Sequence, residues 1–375
     1  MDKKNIFVTQ PSLPPLREFI PYLEKIWENK VLTNNGPFHQ QLEQELCKYL
    51  GVKYISLFSN GTLALLAALN ALNIKGEVIT TPYSFVATAH SLLWNNNKPV
   101  FIDVDPVNFN LDPEKIEAAI TPKTSAILPV HVYGNPCDVK KIDEIAKKYK
   151  LKVVYDACHA FGVKIDNNSI FNFGDISVVS FHATKVFNTF EGGAVICHDS
   201  QTKYKLDNFK NFGIRPDFTS ETIIDSLGLN AKMNEVGAVM GLLQLRYIDE
   251  NIEKRKKAFE LYRKKLVGIK GISFLNDIVG VKHNYSYFPI IVNKDEYGQD
   301  RNNVIENLKK KDIFSRPYFS PLINQFDFYK EMGLGSCEDL PIALNISKSI
   351  LCLPIYADLE ENDIELISEI IKLQL

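Results

Sequence analysis

Ser180-Phe181-His182-Ala183-Thr184-Lys185, with Glu191-Gly192-Gly193 close behind, is the stretch from which the fold is read. It ends an apolar, β-rich run. Upstream, Val153-Val154-Tyr155-Asp156-Ala157-Cys158-His159-Ala160 is a second apolar strand that ends on a carboxylate. In open sheets of parallel strands, ligands bind beyond the carboxyl ends of the strands. A lysine and an aspartate that each sit just past a strand end are therefore expected to converge. Singly, neither says much. A lysine after a strand is a solvated surface residue about nine times in ten, and an aspartate there is ordinarily a turn or cap residue.

Around these two segments, strand and helix patterns alternate from 52 to 199. Strands are expected at 54–58, 77–80, 99–103, 125–129, 152–155, 176–180 and 194–197, and helices at 62–72, 84–94, 113–120 and 139–149. Short apolar strands joined by helical crossovers predict an α/β fold with a mainly parallel seven-stranded sheet covered on both faces. Ahead of the sheet, 16–27 and 38–50 have helical apolar spacing, separated by the turn Thr33-Asn34-Asn35-Gly36-Pro37. A long helical stretch at 234–266 carries the chain out of the large unit. Beyond it, a strand at 287–292 and helices at 302–310 and 364–373 predict a smaller α/β unit. A chain of 375 residues suits two such domains, 1–245 with the entry segment and 246–375.

Composition narrows the function classes. The net charge of −2 gives no electrostatic case for nucleic acid or an acidic membrane. The lysine-rich part of the long helix then reads as solvated surface. No apolar run is long enough to span a bilayer, and the opening residues from Met1 lack the apolar core of a secretion signal. The six cysteines are scattered without a Cys-x-x-Cys pair, which predicts free thiols in a reducing cytoplasm and no zinc. The histidines show no metal-ligand spacing, so no metal site is expected.

The chemistry that uses a strand-end lysine with a strand-end aspartate is that of pyridoxal 5'-phosphate. The lysine amine forms a Schiff base with the cofactor aldehyde, and the aspartate keeps the pyridine nitrogen protonated so that the ring accepts electrons. Other pieces suit the same site. Ser59-Asn60-Gly61-Thr62 opens an apolar helix whose N-terminus can hold phosphate, though the tetrapeptide alone is more often an ordinary cap. Neither Gly-x-Gly-x-x-Gly nor Gly-x-x-x-x-Gly-Lys appears, which disfavours a nucleotide-binding module. Phe85, in Thr81-Pro82-Tyr83-Ser84-Phe85, can cover one face of the pyridine; alone it would be core packing. His159 is placed for the cofactor's phenolic oxygen and Ser180 for its phosphate. Gly228-Leu229-Asn230-Ala231-Lys232-Met233-Asn234-Glu235 is a polar turn before the long helix.

In this order, the elements resemble the DegT/DnrJ/EryC1/StrS family of sugar aminotransferases. The resemblance runs from Leu32-Thr33-Asn34-Asn35-Gly36-Pro37 through Asn60-Gly61-Thr62, Pro82-Tyr83-Ser84-Phe85, His131-Val132-Tyr133-Gly134, Asp156-Ala157-Cys158-His159-Ala160 and the lysine segment to Leu351-Cys352-Leu353-Pro354. It implies an aspartate-aminotransferase-like fold (fold type I) and a homodimer with shared active sites. Lys185 would be the Schiff-base and proton-shuttling residue, Asp156 the pyridinium partner and His159 a ring contact. Gly61, Thr62 and Ser180 would hold phosphate, Phe85 would stack, and Asn230 would reach the neighbouring subunit's phosphate. Phe190 stands where the family often has glycine, and Ala231-Lys232 where many members have Tyr-Arg; both changes bear on the sugar pocket. The finer resemblance is to members that aminate a dTDP-linked 4-keto-6-deoxyglucose with L-glutamate for surface polysaccharide (O-antigen) biosynthesis. Thr33, Asn34, Asn35, Arg316 and Tyr318 are candidate substrate contacts. A 3-keto-sugar or UDP-4-keto-sugar aminotransferase would share every cofactor residue. A non-catalytic regulatory protein that binds the cofactor is the alternative from another class.

Overall fold

Consecutive residues of the central strands are apolar because each faces a different, equally covered side of the sheet. Val153, Val179 and Ile196 join the cluster on one face, while Val154, Val178 and Val195 join the cluster on the other. In the computed structural model, which describes residues 5–215 and 222–374, seven strands form this sheet: β1 (Tyr54–Phe58), β2 (Glu77–Thr80), β3 (Lys98–Phe101), β4 (Thr124–Leu128), β5 (Lys152–Asp156), β6 (Ile176–Ser180) and β7 (Gly193–Cys197). Their order is β1-β7-β6-β5-β4-β2-β3. Strand β7 runs antiparallel to both neighbours, and every other pair is parallel. The carboxyl ends of β1, β2, β5 and β6 therefore share one edge. Residues 1–4, where the expectation of no secretion signal begins, lie outside the described residues. Among those described, no helix is long and apolar enough to cross a membrane.

The helices follow from their surroundings. They are α1 (Leu16–Asn29), α2 (Pro37–Leu50), α3 (Gly61–Ala71), α4 (Ala87–Trp94), α5 (Val139–Tyr149), α6 (Ser200–Phe209) and α7 (Glu235–Leu266). Helix α3 is apolar nearly all round, and buries Ala64, Leu65, Ala67, Ala68 and Leu69. Helix α4 starts at Ala87 rather than 84, which leaves Ser84 and Phe85 in a loop at the sheet edge. The expected helix at 113–120 is two short 3-10 turns, Pro113–Lys115 and Glu117–Ala119; Pro113 and the Asp112 cap start a turn without sustaining a helix. Helix α6 was not expected, because only Leu206 and Phe209 give it an apolar side, and ion pairs flank them. Lys203 pairs with Glu43 and Asp207, and Lys210 with the same two carboxylates. Burial would raise the Asp207 carboxyl, but Lys210 and Lys203 hold it down at about 2.

A second core lies along the far part of α7. Tyr262 and Leu266 pack with Phe288, Ile290, Ile364 and Ile367. Its sheet is antiparallel, β8 (Ile272–Phe274), β9 (Phe288–Val292) and β10 (Ile350–Leu353) in that order. Ile6–Phe7 pairs with Ile313–Phe314, so the start of the chain joins this core. The expected helices near 302–310 and 364–373 are Arg301–Lys309 and Glu361–Leu373.

Glu235 locks the front of α7 to the start of α2. It is fully buried, and its carboxylate accepts the N–H groups of Phe38 at 2.9 Å and His39 at 2.8 Å. A side chain on Gly36 would come within 2.6 Å of the Glu235 carboxyl carbon, which explains glycine in that turn. Glu235→Ala leaves two buried helix-start donors unpaired and is expected to cost about 3 kcal/mol. Urea unfolding checks this; a loss within about 0.5 kcal/mol of zero, the range of an ordinary surface change, would contradict it.

Candidate active site

The candidate side chains enter from the ends of several strands that share one edge of the sheet. Asp156 is the last residue of β5 and Ser180 the last of β6. Asn60 caps α3 by accepting the Leu63 N–H at 2.9 Å, and the first N–H groups of that helix have no partner within it. A side chain on Gly193 would lie 2.7 Å from the Gly61 nitrogen, and one on Gly61 would lie 3.0 Å from the Ser180 Cβ. The two glycines thus let β7, β6 and the start of α3 meet backbone to backbone. Phe190, just before Glu-Gly-Gly, has φ of 65°. That is the left-handed region where glycine is at ease and a bulky residue is strained, so the frequent family glycine has a backbone reason.

These elements enclose a cavity of about 310 Å³ lined by Gly61, Thr62, Phe85, Asp156, His159, Ser180 and Lys185. The structure therefore gathers seven of the expected residues in one place, and Tyr318 lines it too. Asp156 is buried; its Oδ2 accepts the Thr88 hydroxyl at 2.7 Å and its Oδ1 the Cys158 N–H at 3.2 Å. His159 accepts the Tyr133 N–H through Nδ1 at 3.2 Å, and its ring stacks on Phe319. Burial, the Lys185 charge and His131 all push the His159 imidazole well below its ordinary value, so it is neutral. Burial would also lower the Lys185 ammonium. Tyr287, Cys158 and Asp156 act against burial and leave it above the ordinary lysine value.

Asn230, Thr33, Asn34, Asn35 and Arg316 are not among the residues that line this cavity in a single chain. Asn230 is exposed and accepts the Lys232 ammonium at 2.9 Å. Asn34 and Asn35 both have φ of 60°, a conformation that asparagine tolerates, so the turn accounts for their type. Arg316 is exposed and pairs its backbone with Cys352. Several lining or supporting residues escaped the sequence. Thr88 lies four residues after Ser84 on the inward side of α4, a signal that was available once the helix start was known. Tyr287 and Phe319 come from beyond α7, and no local pattern marks them.

The residues fit a pyridoxal phosphate group. The helix start with Thr62 and Ser180 would serve as an anion cradle, the buried Asp156 carboxylate would pair with a ring nitrogen, and Lys185 would supply the amine. A sheet with this order, with a lysine and an aspartate past its strand ends in one cavity, suits a pyridoxal phosphate enzyme of fold type I. The chain belongs to the DegT/DnrJ/EryC1/StrS aminotransferase family, whose model matches residues 16–372. It is 54% identical over 370 residues to a dTDP-4-amino-4,6-dideoxy-D-glucose transaminase of Shigella dysenteriae, covering 99% of each chain. It is 51% identical to the protein of that name from Escherichia coli, covering 100% of this chain and 99% of the relative. Among solved structures, it is similar to DesI in the presence of its TDP-sugar product. That match has a TM-score of 0.92 and 31% identity, over 100% of this chain and 93% of the other.

Proposed function

We propose that this chain transfers the amino group of L-glutamate to dTDP-4-keto-6-deoxy-D-glucose, giving dTDP-4-amino-4,6-dideoxy-D-glucose for surface polysaccharide (O-antigen) biosynthesis. The observation that carries the proposal is the single cavity that holds Lys185, Asp156 and the start of α3. The two transaminases above, similar over the whole chain, support the choice of sugar nucleotide. The cytoplasm is the proposed location. Residues 1–245 and 246–375 are proposed as the two working units, joined through α7.

When bound, pyridoxal phosphate carries the amino group between the substrates and takes up the electron pair left as a proton departs from carbon. The protein's residues do the rest. Gly61, Thr62 and Ser180 hold the phosphate against the start of α3. Phe85 would cover one ring face, His159 would meet the ring oxygen, and Asp156 would keep the ring nitrogen protonated through a charge-assisted hydrogen bond. The Thr88 hydroxyl and Cys158 N–H hold the Asp156 carboxylate in position for this. Lys185 anchors the cofactor, and its freed neutral amine takes the proton from the glutamate α-carbon and returns one on the sugar side. Thr33, Asn34, Asn35, Arg316 and Tyr318 flank the nucleotide sugar.

The working form is proposed as a homodimer in which Asn230 reaches the phosphate of the other subunit. Its exposure, and its place outside the single-chain cavity, support that role. Mixing Lys185→Ala with Asn230→Ala subunits is expected to restore activity, because one hybrid site carries both native residues. The test uses an Asn230→Ala protein first shown to be impaired. No recovery after proven subunit exchange would contradict shared sites.

The substrate assignment is tested by giving the protein glutamate with either the 4-keto or the 3-keto isomer. A shift of one ring position moves the reacting carbon by about an ångström or more, enough to lose about a hundredfold in rate. The 4-keto sugar should yield the 4-amino product with an equatorial amine, read by mass and NMR, at the faster initial rate. Equal or reversed rates would overturn the C4 assignment.

A further inference from the structure

We propose that Tyr287 is a positioning residue for the amino-transfer step: its hydroxyl holds the Lys185 amine on the line along which that amine moves a proton. The proposal rests on the aminotransferase function given above and adds a residue from beyond α7 to its machinery. The Tyr287 hydroxyl is 3.5 Å from Lys185 Nζ, the distance at which it accepts from the amine. Tyr287 lines the cavity and directly precedes β9, so the antiparallel sheet delivers it.

Its approach is built rather than incidental. Asn284 donates to the carbonyls of His159 and Phe161, each at 2.9 Å. The Ser286 hydroxyl donates to the His159 carbonyl at 2.8 Å. Three hydrogen bonds thus key the residues just before Tyr287 to the backbone just after Asp156. The ring is wedged at its sides, edge-on to His159 at 5.0 Å and to Tyr318 at 5.8 Å, and tilted against Tyr133 at 5.5 Å. A phenol fixed on three sides has little freedom to leave the amine. A long lysine side chain, by contrast, has several rotatable bonds and needs a guide to return to one direction after each release.

The groups around the Lys185 amine are Tyr287, Cys158 and Asp156, which favour its charged form, with His159 and Tyr318 also adjacent. Removing the Tyr287 hydroxyl takes away one of the upward influences while burial still acts downward. The amine then loses its proton at lower pH. Through the reaction, Tyr287 exchanges no proton with substrate. It accepts a hydrogen bond from Lys185 Nζ, and Nζ alone carries the proton.

The test is Tyr287→Phe, which keeps the ring and its contacts. In the cofactor-free full chain, competitive chemical labelling of Lys185 across pH is expected to show its titration moved to lower pH. In the cofactor-loaded protein, single-turnover reaction with glutamate should slow about tenfold, the loss of one hydrogen bond to a charged group. A larger primary isotope effect with α-deuterated glutamate should accompany it, with the glutamate KM within about twofold, as for an interaction that matters mainly at the transition state. If Y287F does not fold, 3-fluorotyrosine at position 287 keeps the ring, the hydroxyl and its reach; it should keep a single-turnover rate within about threefold of wild type. An unmoved titration with an unchanged isotope effect in Y287F, or a 3-fluorotyrosine protein that folds but has lost turnover, would overturn the proposal. Absence of any glutamate-driven spectral change in wild type would instead fail the aminotransferase function, and the labelling arm would then decide on Tyr287 by itself.

Discussion

One amine in a half-open cavity sets the terms for the site. Burial disfavours a charge on Lys185, and Tyr287, Cys158 and Asp156 offset it. Such a balance needs each group within a few ångströms of the others, although they come from distant parts of the chain. The sheet meets that need because parallel strands end at one edge. Strand β5 ends on Asp156, β6 ends on Ser180 and leads to Lys185, and β1 leads to Gly61. Bare glycines at 61 and 193 let these ends close on each other.

Residues from beyond α7 complete the lining. Tyr83 and Tyr133, both buried, donate to the Tyr318 carbonyl and so fix the segment that brings Tyr318 and Phe319 over the cavity. Asp103, just past β3, accepts the N–H groups of Ile342 and Ala343 and caps the helix Pro341–Ser349. Together with the bonds from Asn284 and Ser286, these contacts orient the cavity's roof against its floor. They are polar contacts made by buried groups, which tolerate little slippage because an unpaired partner costs free energy.

The legibility of the chain follows from the range of its signals. The seven strands and the helices between them showed in local apolar periodicity, with ends displaced by a few residues. The lysine, aspartate and phosphate-cradle residues showed because each follows a strand directly. Helix α6 stayed hidden because only Leu206 and Phe209 mark its apolar side, and the ion pairs of Lys203, Asp207 and Lys210 around them leave no apolar periodicity in the sequence. Residues 113–120 had helix-like spacing but only enough local support for 3-10 turns. Tyr287 and Phe319 lie beyond α7 and reach the site by packing with Tyr83 and Tyr133, so their role depends on tertiary packing. Phe190 was noticed as a departure, yet its left-handed backbone became visible only in three dimensions.

The central claim is that Lys185 is the residue that anchors the cofactor in this cavity. Borohydride reduction of the protein loaded with pyridoxal phosphate, followed by proteolysis and mass spectrometry, tests it most directly. The account predicts a pyridoxyl adduct on Lys185; an adduct on a different lysine, or none in a cofactor-saturated protein, would contradict it.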